Sequence, residues 1–103
     1  MDPSLMYQAV AQREVDVISA FSTDGRIAAF DLVVLEDDRR AIPPYDAIVL
    51  VSADLARERP EVFDALRGLA GSIDADTMRK MNLAVDGEGR TAAAVAAEFL
   101  DAR

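Results

Sequence analysis

Short apolar runs separated by turn-forming and charged residues occupy the first half of the chain, and helical patterns fill the second half. Residues 15–21, 31–35 and 47–51 are rich in β-branched and other apolar side chains. Runs of this length and composition are typical of buried strands. Strands this apolar usually have helices on both faces of their sheet. The pattern therefore predicts an α/β fold in which a small sheet is flanked by helices.

A helix is predicted at the start of the chain. Asp2 is a favourable capping residue and Pro3 suits the first helical position. Tyr7 lies on this helix and is expected to be a half-buried packing residue. Four apolar side chains recur at helical spacing and predict one buried stripe: Leu5, Met6, Ala9 and Val10.

Three further helices are predicted in the C-terminal part. The first covers residues 60–69 and is followed by Gly71, a residue type favoured just beyond a helix end. Asp74 is expected to cap the second, and Thr91 the third, which runs to Ala102. The inner face of the second helix is expected to carry three apolar side chains: Met78, Met81 and Val85.

Composition and charge exclude several classes of protein. The chain has 103 residues, enough for one small domain, and a formal net charge of -8. Phosphate backbones would repel such a chain, so no nucleic-acid partner is expected. It contains no cysteine and no histidine, which excludes zinc sites of the Cys/His type and nucleophiles that need a thiol or an imidazole. No cofactor is indicated.

The sequence also bears on cellular location. No apolar run approaches the roughly 20 residues that span a bilayer. The first five residues, MDPSL, lack the basic and apolar regions of a secretory signal. These features indicate either a cytoplasmic protein or a segment from inside a longer chain.

Several segments resemble one known family. Residues 14–27 (EVDVISAFSTDGRI) resemble the stretch that follows a helix in the glycine betaine and choline binding proteins of ABC importers. Residues 31–38 (DLVVLEDD) and 43–47 (PPYDA) are similar to the run that returns the chain from the second lobe to the first. The C-terminal helices match in order and spacing, so the resemblance covers nearly the whole chain.

The resemblance implies a fold and a biological setting. The chain would be the C-terminal part of a two-lobed, type II-like periplasmic binding protein. Residues 1–30 would end the second lobe and cross the hinge, and residues 31–103 would form the C-terminal part of the first lobe. The implied function is non-catalytic solute binding in a periplasmic or extracytoplasmic location, with ABC permease subunits at the membrane as partners.

Two aromatic residues match the ligand cage of that family. A quaternary ammonium has no N–H to donate, so it is selected by aromatic faces that attract its diffuse charge. The resemblance places Phe21 and Tyr45 in this cage, although the family usually has tyrosine where Phe21 stands. The alternatives are that Phe21 is a core aromatic at a strand end, and that Tyr45 packs on the preceding prolines.

The three residues after Phe21 are further candidates. Ser22, Thr23 and Asp24 follow a predicted strand, and ligands of open α/β sheets lie at the carboxyl ends of strands. A simple turn in which Asp24 accepts backbone amides ahead of Gly25 is the favoured alternative. Arg26 could meet a ligand carboxylate, but a surface salt bridge is favoured.

The sequence is also compatible with two functions other than solute binding. An enzyme could use paired carboxylates, such as Asp16 or Asp24 with Glu36, provided that one of them has a raised pKa. A sensor or interaction domain derived from such a binding protein could self-associate as a homo-oligomer to cover its apolar faces. The acidic run 36–38 is interpreted as a solvated strand end, because it lacks the spacing of a calcium loop.

Overall fold

The structure is a computed structural model that describes residues 2–103. The chain divides into two compact units. The first comprises Met1–Val34 and Ala75–Arg103, and the second comprises Leu35–Asp74. The two ends of the chain therefore build the first unit together, and the middle builds the second.

Four helices form the first unit: α1 (Pro3–Ala11), α2 (Gly25–Ala29), α5 (Ala75–Asp86) and α6 (Ala92–Asp101). Asp2 caps α1 by accepting a hydrogen bond from the Ser4 amide at 2.8 Å. Thr91 caps α6 by accepting one from the Ala94 amide at 3.2 Å. These local signals confirm both predicted helix starts, because a capping side chain satisfies an amide that the helix leaves unpaired.

The first unit has a small core. Tyr7, Ile27, Ala84 and Val95 are its buried apolar residues, one from each helix. The backbones of α2 and α5 lie in close contact at Gly25, where a β-carbon would lie 2.5 Å from the backbone nitrogen of Leu83. Only glycine fits this crossing without movement of one helix.

The second unit contains α3 (Ala53–Glu58) and α4 (Pro60–Arg67). Ser52 caps α3, and Pro60 occupies the first turn of α4. Within residues 35–74 no side chain is fully buried. The apolar residues of these helices are half-buried at best: Leu55, Val62, Phe63 and Leu66.

The predicted sheet is absent from the described residues. Residues 15–21, 31–35 and 47–51 adopt neither helix nor strand in residues 2–103, so the prediction of three strands in a small sheet is wrong for this structure. A strand requires a neighbouring backbone with which to exchange N–H and C=O hydrogen bonds. An apolar run indicates that a segment suits a sheet, and it does not supply the partner strand.

The helical predictions differ from the structure in detail. The helix predicted over 60–69 ends at Arg67, and Gly71 beyond it has a φ of 73°. The short helix α2 was missed. On α1, Tyr7 is 2% exposed and Leu5 is 55% exposed, so the expected half-burial of Tyr7 and the full stripe that included Leu5 are both wrong. The face of α1 that carries Tyr7 lies inward instead.

Candidate ligand-binding site

The turn formed by residues 21–24 is stabilised by one hydrogen bond within it and by two from α5. The amide of Asp24 donates a hydrogen bond to the carbonyl of Phe21 at 3.0 Å, which closes the turn. Two side chains of α5 donate hydrogen bonds to the carbonyls of the two central residues of the turn. Arg79 Nε donates to Ser22, and Asn82 Nδ2 donates to Thr23 at 2.7 Å. The turn backbone is therefore fixed to α5.

Asp24 links this turn to α2. Its Oδ1 accepts a hydrogen bond from the Arg26 amide at 2.9 Å and so caps the helix. The Arg26 guanidinium also donates to both carboxylate oxygens, at 3.0 Å from Nε and 2.8 Å from Nη2. The predicted backbone contact of Asp24 and the predicted salt bridge of Arg26 are both confirmed, and they turn out to be parts of one arrangement.

Tyr7 lies beneath this ion pair. The Arg26 guanidinium lies 4.1 Å from the centroid of the Tyr7 ring, within the range of a cation–π contact. Among the described residues, no group lies at hydrogen-bonding geometry to the buried Tyr7 hydroxyl. Sequence reasoning did not anticipate the contact of Tyr7 with this ion pair, because Tyr7 lies 19 positions before Arg26 and meets it only in the folded chain.

The cluster shifts two pKa values in opposite directions. Burial, and then the negative charge of Asp24, raise the pKa of Tyr7 above its ordinary value. Hydrogen bonds from the Arg26 side chain lower the pKa of Asp24, against the opposing effect of burial. An enzyme based on paired carboxylates needs a raised pKa in one of them, so the lowered pKa of Asp24 argues against Asp24 as its proton donor.

Tyr7 gives a prediction for alkaline pH. Because its pKa is raised in the folded state, its stabilising contribution is complete below the unfolded pKa of about 10 and is lost as pH rises through the folded value. Tyr7→Phe should therefore flatten the decline in the free energy of unfolding above pH 10. Urea unfolding at a series of pH values measures this slope, and an unchanged alkaline slope would contradict the assignment.

The two cage candidates lie in different units. Phe21, in the first unit, is 67% exposed, and Tyr45, in the second, is 87% exposed. Each ring is thus accessible on its own unit, and neither is a core residue there. Ser22 is exposed and Thr23 is half-buried. The structure brings Phe21, Ser22, Thr23 and Asp24 together in one turn.

A shallow groove of about 460 Å³ lies along α2 and the C-terminal half of α5. Its lining combines apolar side chains with one guanidinium and one carboxylate, and consists of Gly25, Arg26, Ala29, Phe30, Leu83, Asp86 and Gly87. None of the five predicted ligand residues lines this groove. Sequence reasoning did not anticipate it, because α2 itself was not predicted.

The acidic run has a local structural role. Asp37 accepts hydrogen bonds from the amides of Ala41 and Ile42, at 3.0 and 2.8 Å. These backbone donors lower the pKa of the exposed Asp37 carboxyl.

Within residues 2–103, no group of three or more acidic side chains is arranged to hold a metal ion. Over the same residues, no helix is both long and apolar enough to cross a membrane.

The sequence of this chain is similar to those of known solute-binding proteins. The chain is 37% identical to the carnitine transport binding protein OpuCC of Listeria monocytogenes, over 97% of this chain and 32% of that one. It is 36% identical to a glycine-betaine-binding protein of Pseudomonas aeruginosa, over 97% and 32%. The chain therefore spans about a third of the length of these relatives.

A solved structure and a family assignment agree with these relatives. The structure is described as a glycine betaine/carnitine/choline ABC transporter and superimposes with a TM-score of 0.93 at 42% identity. The match covers 98% of this chain and 37% of that one. Residues 1–102 match the OpuAC family, the substrate-binding domain of the ABC-type glycine betaine transport system. The chain therefore belongs to the OpuAC family of substrate-binding domains.

Proposed function

We propose that this chain is part of the solute-binding component of an ABC importer for glycine betaine, carnitine, choline or a related quaternary amine. The observation that carries the proposal is the family match over residues 1–102. The names of the relatives and of the solved structure add the solute class, since they specify carnitine, glycine betaine and choline. A transporter of this kind would place the chain outside the cytoplasm, with permease subunits as partners.

The chemistry of Phe21 supports this solute class. A permanently charged amine gains roughly 0.5–2 kcal/mol from each aromatic face that it contacts. Phe21 is exposed and is the first residue of a turn whose carbonyls accept hydrogen bonds from α5. The backbone that carries its ring is therefore held in place. Phenylalanine keeps the aromatic face of the tyrosine usual in the family and lacks only the hydroxyl.

Tyr45, Ser22 and Thr23 complete the proposed site on this chain. Tyr45 would contribute the second ring of the cage. Ser22 and Thr23 would contribute polar contacts from the turn, whereas Asp24 would act indirectly, because its carboxylate is already bound by Arg26. In the proposed division, residues 1–30 end one lobe and cross the hinge, and residues 31–103 belong to the other lobe.

Binding is best tested in a protein of full family length. A suitable protein, here named the Listeria chimera, carries residues 1–103 in place of the matched third of the Listeria carnitine-binding protein. Calorimetric titration with glycine betaine, carnitine and choline should give saturable binding to at least one of them. The isolated chain should bind weakly or not at all, because it carries only part of the cage. Absence of binding to all three amines by the folded chimera would overturn the proposal.

Phe21→Ala should weaken binding by the chimera about tenfold, which corresponds to roughly 1.4 kcal/mol of lost cation–π attraction. Phe21→Tyr should bind within about threefold of the parent, because the aromatic face remains. Phe30→Ala is the matched control, since Phe30 is also a partly exposed aromatic residue of the first unit but lies outside the turn. Equal losses for Phe21→Ala and Phe30→Ala would argue against a cage role for Phe21.

A further inference from the structure

All four carbonyls of the turn that begins with Phe21 accept hydrogen bonds. Those of Phe21 and Asp24 accept from backbone amides, at 3.0 Å from Asp24 and at 3.1 Å from Ile27. Those of Ser22 and Thr23 accept instead from two side chains of α5. The local chain therefore supplies donors for the two ends of the turn, whereas the two central carbonyls depend on α5 for theirs.

The two donors of α5 lie on one face of that helix. Arg79 Nε donates to Ser22 and Asn82 Nδ2 donates to Thr23, across 57 and 59 positions of sequence. Residues three apart are neighbours on a helix surface, so adjacent carbonyls of the turn meet adjacent side chains of α5. An ion pair with Asp76, one turn earlier on the same helix, orients the Arg79 guanidinium.

The two contacts differ in their access to water. The hydrogen bond of Asn82 is partly buried, whereas that of Arg79 is exposed. A carbonyl that loses a shielded donor pays more of its desolvation cost than one that water can reach. Asn82 should therefore hold the turn more strongly than Arg79 does.

The order of this turn bears on solute binding because Phe21 is its first residue and is exposed. A cation is attracted to an aromatic ring only when it lies over the face, within about 6 Å of the centroid. A backbone that is already ordered also loses less entropy when the solute binds. Side chains that fix the turn in advance thus raise affinity without any contact with the solute.

We propose that Asn82 and Arg79 are positioning residues of the solute site, which act by holding the turn that carries Phe21. This role rests on the proposed function, since it concerns the same site. It adds that two side chains of α5 set part of the affinity for the quaternary amine.

Calorimetric titration of the Listeria chimera measures the effect of each donor. The solute is whichever of glycine betaine, carnitine and choline the parent chimera binds most tightly. Asn82→Leu removes the donor at similar size and should weaken binding about fivefold, because ordering the backbone of one residue carries a cost of that size. Arg79→Met should weaken it about threefold. Parental affinity in both variants would overturn the proposal.

A double-mutant cycle tests whether Asn82 acts through Phe21. In the Phe21→Ala background, where the ring is already lost, Asn82→Leu should weaken binding by less than about twofold. The double variant should then bind about tenfold more weakly than the parent chimera. A loss of about fiftyfold, the product of the two single effects, would contradict the assigned role.

Thr91→Ala is the structural control for these variants. It removes the cap of α6 in the same unit, so it lowers stability, yet it should leave affinity within about twofold of the parent. Equal losses of affinity in Thr91→Ala and Asn82→Leu would assign the effect to stability and not to positioning. If both α5 variants failed to fold while Thr91→Ala folded, these hydrogen bonds would serve folding alone, and the proposal would be wrong.

The parent chimera separates this role from the proposed function. A parent that binds none of the three amines would overturn the proposed function and the positioning role with it. A parent that binds, with variants of unchanged affinity, would overturn the positioning role alone.

Discussion

Gly25→Ala is expected to destabilise the first unit by about 3 kcal/mol, the upper part of the usual range for inserting a methyl group into a closely packed contact. The new β-carbon would lie 2.5 Å from the backbone nitrogen of Leu83 and 2.8 Å from its α-carbon. Both are backbone atoms of α5, so no side-chain rotation can relieve the clash. Either α2 must move away from α5 or α2 must unfold.

Urea unfolding followed by circular dichroism measures this loss. Gly68→Ala is the matched control, because Gly68 ends α4 with right-handed helical angles and its nearest neighbour, at 3.3 Å, is the Ala65 carbonyl of its own last turn. That variant should be neutral or slightly stabilising, since alanine loses less entropy than glycine on folding. A Gly25→Ala protein as stable as the parent would show that α2 does not approach α5 so closely.

The same contact explains why α2 could not be predicted. Its sequence, GRIAA, is five residues long and begins with glycine, so intrinsic propensity gives it little support. The helix is held by the Asp24 cap, by burial of Ile27 and by the contact with α5. Apart from the cap, these are tertiary interactions that a local pattern does not contain.

Helix starts, by contrast, were predictable where the signal was local. Asp2 and Thr91 each accept an amide within three residues of their own position, so the capping rule sufficed. The direction in which each helix faces depended on other segments, and Tyr7 was misjudged for that reason. Arg26 lies over its ring, a contact across 19 positions of sequence.

The strands, in contrast, were predicted from composition and are absent from residues 2–103. The three segments 15–21, 31–35 and 47–51 have strand composition, yet none of them forms a strand within residues 2–103. The site was likewise predictable only in part. The turn of residues 21–24 and the Asp24–Arg26 pair followed from short-range chemistry, whereas Arg79 and Asn82, which fix its carbonyls, are more than 50 positions away and gave no signal.

Asp24→Ala is expected to lower the free energy of unfolding by about 2–3 kcal/mol at pH 7. About 1 kcal/mol comes from the helix cap, and the remainder from charge-assisted hydrogen bonds to Arg26, which would be left half-buried over Tyr7. Asp24→Asn should lose less, since asparagine is also a good cap. Thr91→Ala is the control in which only a cap is lost, and it should cost about 1 kcal/mol.

The acid dependence of stability separates the ion pair from the cap. The pKa of Asp24 is lowered in the folded protein from an ordinary value of 3.8. Its contribution is therefore present above that value and is lost as pH falls through the lower, folded pKa. Asp24→Asn and Asp24→Ala should both show a shallower loss of stability below pH 4 than the parent, whereas Thr91→Ala should keep the parental slope. If Asp24→Asn retained the full acid-dependent loss, the charge of Asp24 would contribute nothing through Arg26, and the turn that presents Phe21 would depend on the cap and on α5 alone.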